Sequence, residues 1–460
     1  MKVHFIAIGG SAMHNLAIAL YKKGFMVSGS DDEIFDPSRR RLAQYGLLPA
    51  QYGWFPEKIN SELDAVILGM HAKADNPELE KARNLGLKIY SYPEFLYEQS
   101  KDKTRVVIGG SHGKTTITSI ILHVLGYHKI DTDYMVGAQL EGFEVMVKLS
   151  NNAPYMILEG DEYLSSPIDP RPKFHLYRPH IALLSGIAWD HINVFPTFEN
   201  YLNQFRQFIN LIEPGGKLIF CADDEHLNTI CSQEQNTDLN IYPYNLPAYE
   251  VINEKTWFIH NKAKYLLQVF GKHNLLNING ARLVCEQMGI TAEMFFEAMA
   301  SFKGASNRLE KVFEQNGTII FRDFAHAPSK LKATTAAVKE QFPRKKLVAC
   351  MELHTYSSLN KDFLNQYQGS MEAADSAIVF FSHHALQLKK LPNIDTDTVE
   401  RAFNKQGLEV VNDSGRLLDR LKALAEPEAC FLFMSSGNFG GFNLNDLVRH
   451  LKSNQGQIHG

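Results

Sequence analysis

The stretch Val106-Val107-Ile108-Gly109-Gly110-Ser111-His112-Gly113-Lys114-Thr115-Thr116 joins an apolar run to a glycine-rich loop, and a helical pattern follows from about Thr115. Glycines let backbone N–H groups turn towards phosphate oxygens, and the N-terminus of the next helix adds partial positive charge. Lys114 would then reach the β- and γ-phosphates, and the Thr115 hydroxyl would bind Mg²⁺. Ile108 stands where the common G-x-x-x-x-G-K-[ST] pattern has its first glycine. The stretch therefore predicts a shortened phosphate-binding loop, in preference to an ordinary strand-helix turn with a solvated lysine.

Short apolar runs alternate with helical patterns along the 460 residues, which is typical of α/β domains with mostly parallel sheets. At about 150 residues per domain, this length predicts three domains. We expect a Rossmann-like domain at 1–104, a P-loop-type mononucleotide-binding domain at 105–311 and a C-terminal Rossmann-like domain at 312–460. The expected strands are 3–8, 65–68, 105–108, 156–158, 181–184, 217–221, 318–321, 347–351, 377–381 and 430–434.

Composition excludes several classes of protein. The mean hydropathy is −0.22, and no apolar run approaches the roughly 18 residues of a membrane span. Lys+Arg 47 against Asp+Glu 51 gives a net charge of −4, which offers no electrostatic basis for binding nucleic acid. The five cysteines are scattered without a C-x-x-C pair, as in a reducing cytosol. We expect a cytoplasmic protein without membrane or nucleic-acid partners, either a monomer or a weak homodimer.

Polar side chains follow two further predicted strands of the central segment. Glu159-Gly160-Asp161-Glu162 comes after strand 156–158, and Asp190-His191 comes shortly after strand 181–184. Ligands of open α/β sheets gather beyond the carboxyl ends of strands, where a carboxylate could bind a phosphate-bound Mg²⁺. An imidazole there could hold a second metal ion or orient a substrate carboxylate. Taken singly, such residues are more often solvated turns and structural histidines. With the phosphate loop they favour Thr115 and Glu159 as ligands of the phosphate-bound Mg²⁺, and His191 as a ligand of a second metal ion or as a residue that orients the carboxylate.

These motifs, in this order, resemble the central domain of the Mur ligases, the ATP-dependent enzymes that add amino acids or peptides to UDP-N-acetylmuramate. The quoted residues are Gly110-Ser111-His112-Gly113-Lys114-Thr115-Thr116, Glu159-Gly160-Asp161-Glu162-Tyr163 and Asp190-His191. Three more matches follow, Gly271-Lys272-His273-Asn274-Leu275-Leu276-Asn277, Asn307-Arg308-Leu309-Glu310 and Asp323-Phe324-Ala325-His326-Ala327-Pro328. The resemblance covers the whole chain.

The resemblance implies a role for each matching residue, with ATP and Mg²⁺ as cofactors. His273, Asn274 and Asn277 would contact adenine, although alone they could be no more than helix N-cap chemistry. Arg308 would reach the phosphates, Asp323 would hold the ribose, and His326 lies in the same loop. The implied catalytic residues are Lys114, Glu159, His191 and Arg308. The implied ATP contacts are Gly110, Ser111, His112, Gly113, Lys114, Thr115, Thr116, His273, Asn274, Asn277, Arg308, Asp323 and His326.

One departure from the family pattern concerns the metal site. Several Mur ligases hold a second magnesium ion with a carbamoylated lysine shortly after the Asp-His pair. This sequence has no lysine between Lys173 and Lys217. The sequence therefore argues against a carbamate bridge, as in the alanine-adding members of the family.

The first segment reads as strand, glycine turn, helix, strand and acid, with Asp31 about 20 residues after Gly9-Gly10. Only one glycine of G-x-G-x-x-G is in register, so the signal for NAD is weak. The alternatives to a ligase are a nicotinamide-dependent oxidoreductase and a non-catalytic nucleotide-binding regulator, and neither accounts for all the motifs. The resemblance implies that the first segment binds the UDP of the substrate and not NAD. The implied contacts are Gly9, Gly10, Ser11, Ala12, Met13, Ser30 and Asp31.

Two branches of the family share this N-terminal type, one adding L-alanine and one adding the tripeptide L-alanyl-γ-D-glutamyl-meso-diaminopimelate. The stretches 159–163, 169–174 and 434–441 resemble the tripeptide branch, and His354-Thr355-Tyr356-Ser357-Ser358 lacks the arginines of the alanine branch. We expect the tripeptide, with L-alanine as the alternative. In either case the lactyl carboxylate of UDP-N-acetylmuramate would be activated by ATP as an acyl phosphate.

Overall fold

The computed structural model describes residues 1–138, 143–189, 194–233, 238–305 and 308–455. The chain forms two compact units. The first contains residues 1–246 and 276–301, and the second contains residues 247–275 and 302–460.

The first sheet of the first unit has four parallel strands in the order β2-β1-β3-β4. Its strands are β1 (Lys2–Ile6), β2 (Met26–Ser30), β3 (Ala65–Leu68) and β4 (Ile89–Ser91). Its helices are α1 (Ser11–Lys22), α2 (Ser38–Gln44), α3 (Pro77–Asn84) and α4 (Tyr92–Ser100). Strand β1 ends two residues earlier than expected, because Ala7 has a positive φ of 69° that turns the chain out of the sheet.

The second sheet of this unit has seven strands in the order β13-β12-β11-β5-β8-β6-β7, all parallel except β7. The strands are β5 (Thr104–Gly109), β6 (Thr132–Met135), β7 (Val147–Lys148), β8 (Tyr155–Glu159), β11 (Ile181–Leu184), β12 (Lys217–Cys221) and β13 (Asn240–Tyr244). An antiparallel pair, β9 (Leu164–Ser166) and β10 (Asp169–Pro172), follows β8. The helices between residues 114 and 299 are α5 (Lys114–Tyr127), α6 (Phe198–Asn210), α7 (Glu225–Ser232), α8 (Lys272–Gln287) and α9 (Ala292–Met299).

The second unit contains a three-stranded antiparallel sheet and a six-stranded sheet in the order β17-β18-β22-β19-β20-β21. Only β17 is antiparallel in the larger sheet. The strands are β14 (Tyr249–Ile252), β15 (Lys255–His260), β16 (Ala263–Leu267), β17 (Glu310–Gln315), β18 (Thr318–Asp323), β19 (Leu347–Leu353), β20 (Ser376–Phe381), β21 (Leu408–Val411) and β22 (Cys430–Met434). The helices are α10 (Pro328–Gln341), α11 (His383–Leu388), α12 (Thr396–Phe403), α13 (Ser414–Ala423) and α14 (Leu444–Gln455).

Alternation along the strands explains how the six-stranded sheet builds a core on each face. Ile319 and Phe321 of β18 pack into one hydrophobic cluster, whereas Ile320 between them packs into the other. Successive side chains of a strand point to opposite faces, so a continuous apolar run is buried only when helices cover both faces. Such runs are what the sequence showed at each expected strand.

All ten expected strands are present, with ends displaced by at most two residues. The prediction of an α/β protein with mostly parallel sheets is confirmed. No helix of the described residues is long and apolar enough to cross a membrane. The boundaries at 104 and 311 stay a prediction.

Candidate active site

The predicted phosphate loop follows β5, and two of its glycines have positive φ angles that other residues rarely adopt. Gly110 has φ +119°, and a Cβ there would lie 2.3 Å from Ser185 Oγ and 2.9 Å from the Ser185 nitrogen. Gly113 has φ +80° and stands at the N-cap of α5. The Ser111 N–H donates to the Gly186 carbonyl at 2.9 Å, and the Ser185 hydroxyl donates to the His112 carbonyl. The turn after β11 therefore fixes the shape of the loop.

Lys114 begins α5 and its ammonium is held inside the loop. Its Nζ donates to the Gly110 carbonyl at 2.6 Å and to Glu162 Oε2 at 2.8 Å. Desolvation alone would lower the pKa of Lys114, but the negative charges of Glu162 and Asp161 outweigh it and raise that pKa. The lysine is therefore a protonated cation at the end of a phosphate loop, as its predicted role requires.

Thr115 and Glu159 meet beside the loop, as their predicted role in a metal site requires. The Thr115 hydroxyl donates to Glu159 Oε1 at 2.7 Å, and the Gly137 N–H donates to Oε2 at 2.7 Å. Glu159 is only 6% exposed. A hydroxyl and a carboxylate within 3 Å of each other form an oxygen donor set of the kind Mg²⁺ prefers. The pair fits that ion. Thr116, one residue further, is buried in the first turn of α5.

The adenine residues implied by the resemblance lie at the start of α8. Asn277 approaches the loop, since a Cβ on Gly113 would lie 2.3 Å from Asn277 Oδ1. Asn274 donates its Nδ2 to the Phe270 carbonyl at 2.8 Å. This bond uses the amide as a donor, whereas an N-cap side chain accepts a backbone N–H. Burial lowers the pKa of His273 to about 4, so its ring is neutral at pH 7.

Asp323 ends β18 in the second unit and organises two neighbouring segments. Its Oδ2 accepts the Leu309 N–H and its Oδ1 accepts the Ala325 N–H, both at 2.6 Å. Burial raises the pKa of this carboxyl group to about 6, against the effect of these two hydrogen bonds and of the Arg308 charge. Asp323 thus ties the segment that carries Arg308 to the loop that carries His326.

An aromatic platform within this unit holds both of these side chains. The Arg308 guanidinium lies over the Phe324 ring, 4.9 Å from its centroid. The His326 ring meets Phe324 edge-on at 5.2 Å, and His326 Nδ1 lies 2.8 Å from the Phe324 carbonyl. A guanidinium on an aromatic face keeps its charge and its donors. Phe324 was not among the predicted site residues, although it stands between two of them in the sequence.

The glycine turn after β1 is held by the acid at the end of β2. The Gly9 N–H donates to Asp31 Oδ2 at 2.6 Å, and His71 Nε2 lies 2.8 Å from Oδ1. Asp31 is fully buried, and Ser30 and Met13 are also buried. Ser11 begins α1, which also carries Ala12 and follows Gly10 directly. The predicted residues are thus brought together, with His71 as a neighbour that the sequence reasoning missed.

Three predicted positions cannot be placed. Asp190, His191 and Asn307 lie outside the described residues. The second metal ligand at His191 therefore stays a prediction.

Comparison with known proteins identifies the family. Three family models match: Mur ligase family, catalytic domain, at 2–104, Mur ligase middle domain at 108–285, and Mur ligase, glutamate ligase domain, at 307–437. A UDP-N-acetylmuramate–L-alanine ligase of Clostridium acetobutylicum is 31% identical over 428 residues, which cover 89% of each chain. The chain belongs to the Mur ligase family. Mur ligases are ATP-dependent ligases that form amide bonds in peptidoglycan synthesis, so this chain is an enzyme of that class.

Solved structures of Mur ligases share the three-domain fold. A murein peptide ligase from Psychrobacter arcticus is 23% identical with a TM-score of 0.62, over 98% of this chain and 99% of that one. A UDP-N-acetylmuramate–alanine ligase from Thermotoga maritima is 19% identical with a TM-score of 0.70, over 98% of this chain and 100% of that one. At these identities the likeness shows the fold alone.

Proposed function

We propose that this Mur ligase is a murein peptide ligase. It would join the lactyl carboxylate of UDP-N-acetylmuramate to the amine of L-alanyl-γ-D-glutamyl-meso-diaminopimelate. The observation that carries the proposal is the stretch 169–174, which resembles the tripeptide-adding branch and forms a charged element beside the acidic end of β8.

The contacts of this stretch support a functional role for it. Lys173 Nζ donates to Asp161 Oδ2 at 2.9 Å, and the Phe174 N–H donates to the Asp161 carbonyl at 3.1 Å. Phe174 is fully buried and stacks on Phe208, with ring centroids 4.6 Å apart. These contacts anchor the chain after β10 beside Asp161, and Arg171 of β10 is exposed, with its guanidinium 2.7 Å from Asp169. A charged surface of this kind suits a peptide with several carboxylates.

The end of β19 gives the second support. The Glu352 carboxylate there accepts the Phe439 N–H at 2.8 Å and the Ser435 hydroxyl, and His354 Nδ1 lies 3.6 Å from it. No arginine occurs in 354–358 to pair with the carboxylate of a free amino acid. The stretch 434–441, which resembles the tripeptide branch, therefore lies beside the end of β19, which leads into the arginine-free stretch 354–358.

L-Alanine is the second candidate for the amine. Relatives that are 29–32% identical to this chain carry the name UDP-N-acetylmuramate–L-alanine ligase. At that identity the fold and the ATP chemistry are shared, whereas the amine-binding residues are free to differ. The alternative predicts activity with L-alanine alone.

The residues of this chain suggest how the reaction proceeds. The lactyl carboxylate attacks the γ-phosphorus of ATP, ADP leaves, and the peptide amine then attacks the acyl carbon and expels phosphate. Lys114 and the loop N–H groups would neutralise the charge that develops on the phosphoryl group, and Arg308 would add a second cation. Thr115 and Glu159 would hold Mg²⁺, which supplies further neutralisation of the phosphate charge. We also propose that Asp323 and His326 contact the nucleotide, and that His191 orients the carboxylate.

The test is phosphate release from ATP with UDP-N-acetylmuramate and either the tripeptide or L-alanine. We expect the wild type to release phosphate when the tripeptide is the amine. The Lys114→Ala variant should release no phosphate but should still bind the UDP-sugar. Lys148→Ala, which removes an exposed lysine of β7 paired with Asp131, is the matched control and should keep full activity. Release with L-alanine alone would replace this proposal by the second candidate. Release with neither amine would contradict both candidates for the amine.

A further inference from the structure

A chain of buried hydrogen bonds joins the two ends of the phosphate loop through one carboxylate. Lys114 Nζ lies 2.8 Å from Glu162 Oε2, and the Tyr201 hydroxyl of α6 lies 3.0 Å from Glu162 Oε1. The same hydroxyl lies 2.8 Å from Ser111 Oγ, and the Ala188 N–H donates to Ser111 Oγ at 2.8 Å. Glu162 is 1% exposed and Tyr201 is fully buried.

The chemistry of the groups fixes the direction of these bonds. An ionised carboxylate only accepts, so both Lys114 and Tyr201 donate to Glu162. The Tyr201 oxygen then accepts from the Ser111 hydroxyl, which itself accepts the Ala188 N–H. Lys114 and Tyr201 thus both donate to Glu162, and these two bonds stabilise its charged form.

The two oxygens of Glu162 have different partners, and this decides what can move. A nucleotide phosphate brings two or more negative charges to the end of the loop, where Lys114 carries a positive charge. Lys114 donates to Oε2, whereas Tyr201 donates to Oε1. The bond from Tyr201 can thus persist while Lys114 turns towards a phosphate.

We propose that Glu162 competes with the nucleotide phosphates for Lys114 and that Tyr201 stabilises the Glu162 carboxylate after Lys114 has turned away. Both are positioning residues that set the affinity for the nucleotide. The inference rests on the proposed role of Lys114 in phosphate binding. It goes beyond the proposed function because it identifies two residues that set the affinity for the nucleotide.

The inference predicts opposite effects for two conservative variants. Glu162→Gln keeps the size of the side chain but removes the competing charge, so the Kd for ADP should fall. Tyr201→Phe keeps the ring among its aromatic neighbours but leaves Glu162 without that donor, so Lys114 should be released less readily and the Kd should rise. A hydrogen bond to a charged group changes an equilibrium constant by a factor of about ten or more, so we expect changes in Kd of about tenfold.

The experiment is calorimetric titration of the full chain with ADP and Mg²⁺. Tyr177→Phe is the matched control, because Tyr177 is equally buried and its hydroxyl has no hydrogen-bond partner among the described residues. General damage to the fold would weaken binding in both variants, so the opposite signs distinguish the inference from a structural role. An unchanged or raised Kd in Glu162→Gln would overturn it. A Tyr201→Phe variant whose Kd for ADP is no higher than that of Tyr177→Phe would also overturn it. If Glu162→Gln fails to fold, the comparison of the two tyrosine variants is the deciding test.

ADP binding does not depend on which amine the enzyme uses. The inference can therefore fail while the proposed tripeptide activity stands, and the activity can fail while the inference stands.

Discussion

Gly113→Ala should damage both the stability and the nucleotide site of this Mur ligase. Gly113 has φ +80°, where an L-residue costs about 1–2 kcal/mol relative to the right-handed region. The new Cβ would also lie 2.3 Å from Asn277 Oδ1 and 3.1 Å from Asn277 Cγ, so that side chain must rotate away. We expect the free energy of unfolding to fall by about 2 kcal/mol, from backbone strain and lost packing together. We also expect the Kd for ADP to rise by about tenfold or more, because Asn277 and the loop move together.

Gly126→Ala gives the matched control at the other end of α5. A Cβ there meets no atom of the described residues within 4 Å, and alanine is the better helix former by up to about 1 kcal/mol. This variant should be slightly more stable and should bind ADP as the wild type does. Urea denaturation and calorimetric titration measure the two quantities. A Gly113→Ala protein as stable and as tight as Gly126→Ala would refute the assignment of strain to the loop.

Three further predictions concern other groups. Glu159→Gln removes the anionic partner of the Thr115 hydroxyl, so the Mg²⁺ concentration for half-maximal phosphate release should rise about tenfold or more, with unchanged binding of the UDP-sugar. His71→Gln should lose stability relative to the wild type below the ordinary histidine pKa of 6.5, and the difference in urea denaturation should vanish as pH rises through the raised pKa that Asp31 gives His71. The five cysteines are all buried, so a thiol reagent should label the native protein only as fast as it opens, and immediate labelling would contradict their burial.

The sequence predicted ten interior strands of the three mostly parallel sheets, because these are short apolar runs buried by helices on both faces. It did not predict the small antiparallel sheets, whose strands lack such continuous apolar runs. It also predicted the glycine turn that joins a strand to a helix here, since Gly110, Gly113 and Lys114 are close in the chain and their conformations are local. The contact between Thr115 and Glu159 could be predicted from the sequence for a related reason. Strands β5 and β8 are parallel neighbours, and parallel strands present their carboxyl ends at one edge of the sheet.

The sequence could not predict contacts that depend on helix orientation. Tyr201 lies in α6 among other aromatic residues, and nothing in its pattern distinguishes it from Phe205 or Phe208, which only pack in the core. Only the hydroxyl reaches Glu162, and the rotation of the helix decides that. His71 is similar, because the chain turn after β3 brings it to Asp31 over 40 residues of sequence separation. Such partners become visible only once the sheets are assembled.

The carboxylates of Asp31 and Asp323, at the ends of β2 and β18, stabilise the fold, and we expect each of them to bind a ligand as well. Asp31 shapes the glycine turn through the Gly9 N–H, and Asp323 accepts two backbone N–H groups. An ionised carboxylate has about four lone-pair sites, so these bonds leave acceptor capacity for a sugar hydroxyl. In Asp323→Asn one oxygen becomes an NH₂ group that faces a backbone N–H, and that lost bond destabilises the loop whether or not a nucleotide binds. A ligand role for Asp323 would therefore appear as a loss of ADP affinity at temperatures well below unfolding, where the variant is still fully folded.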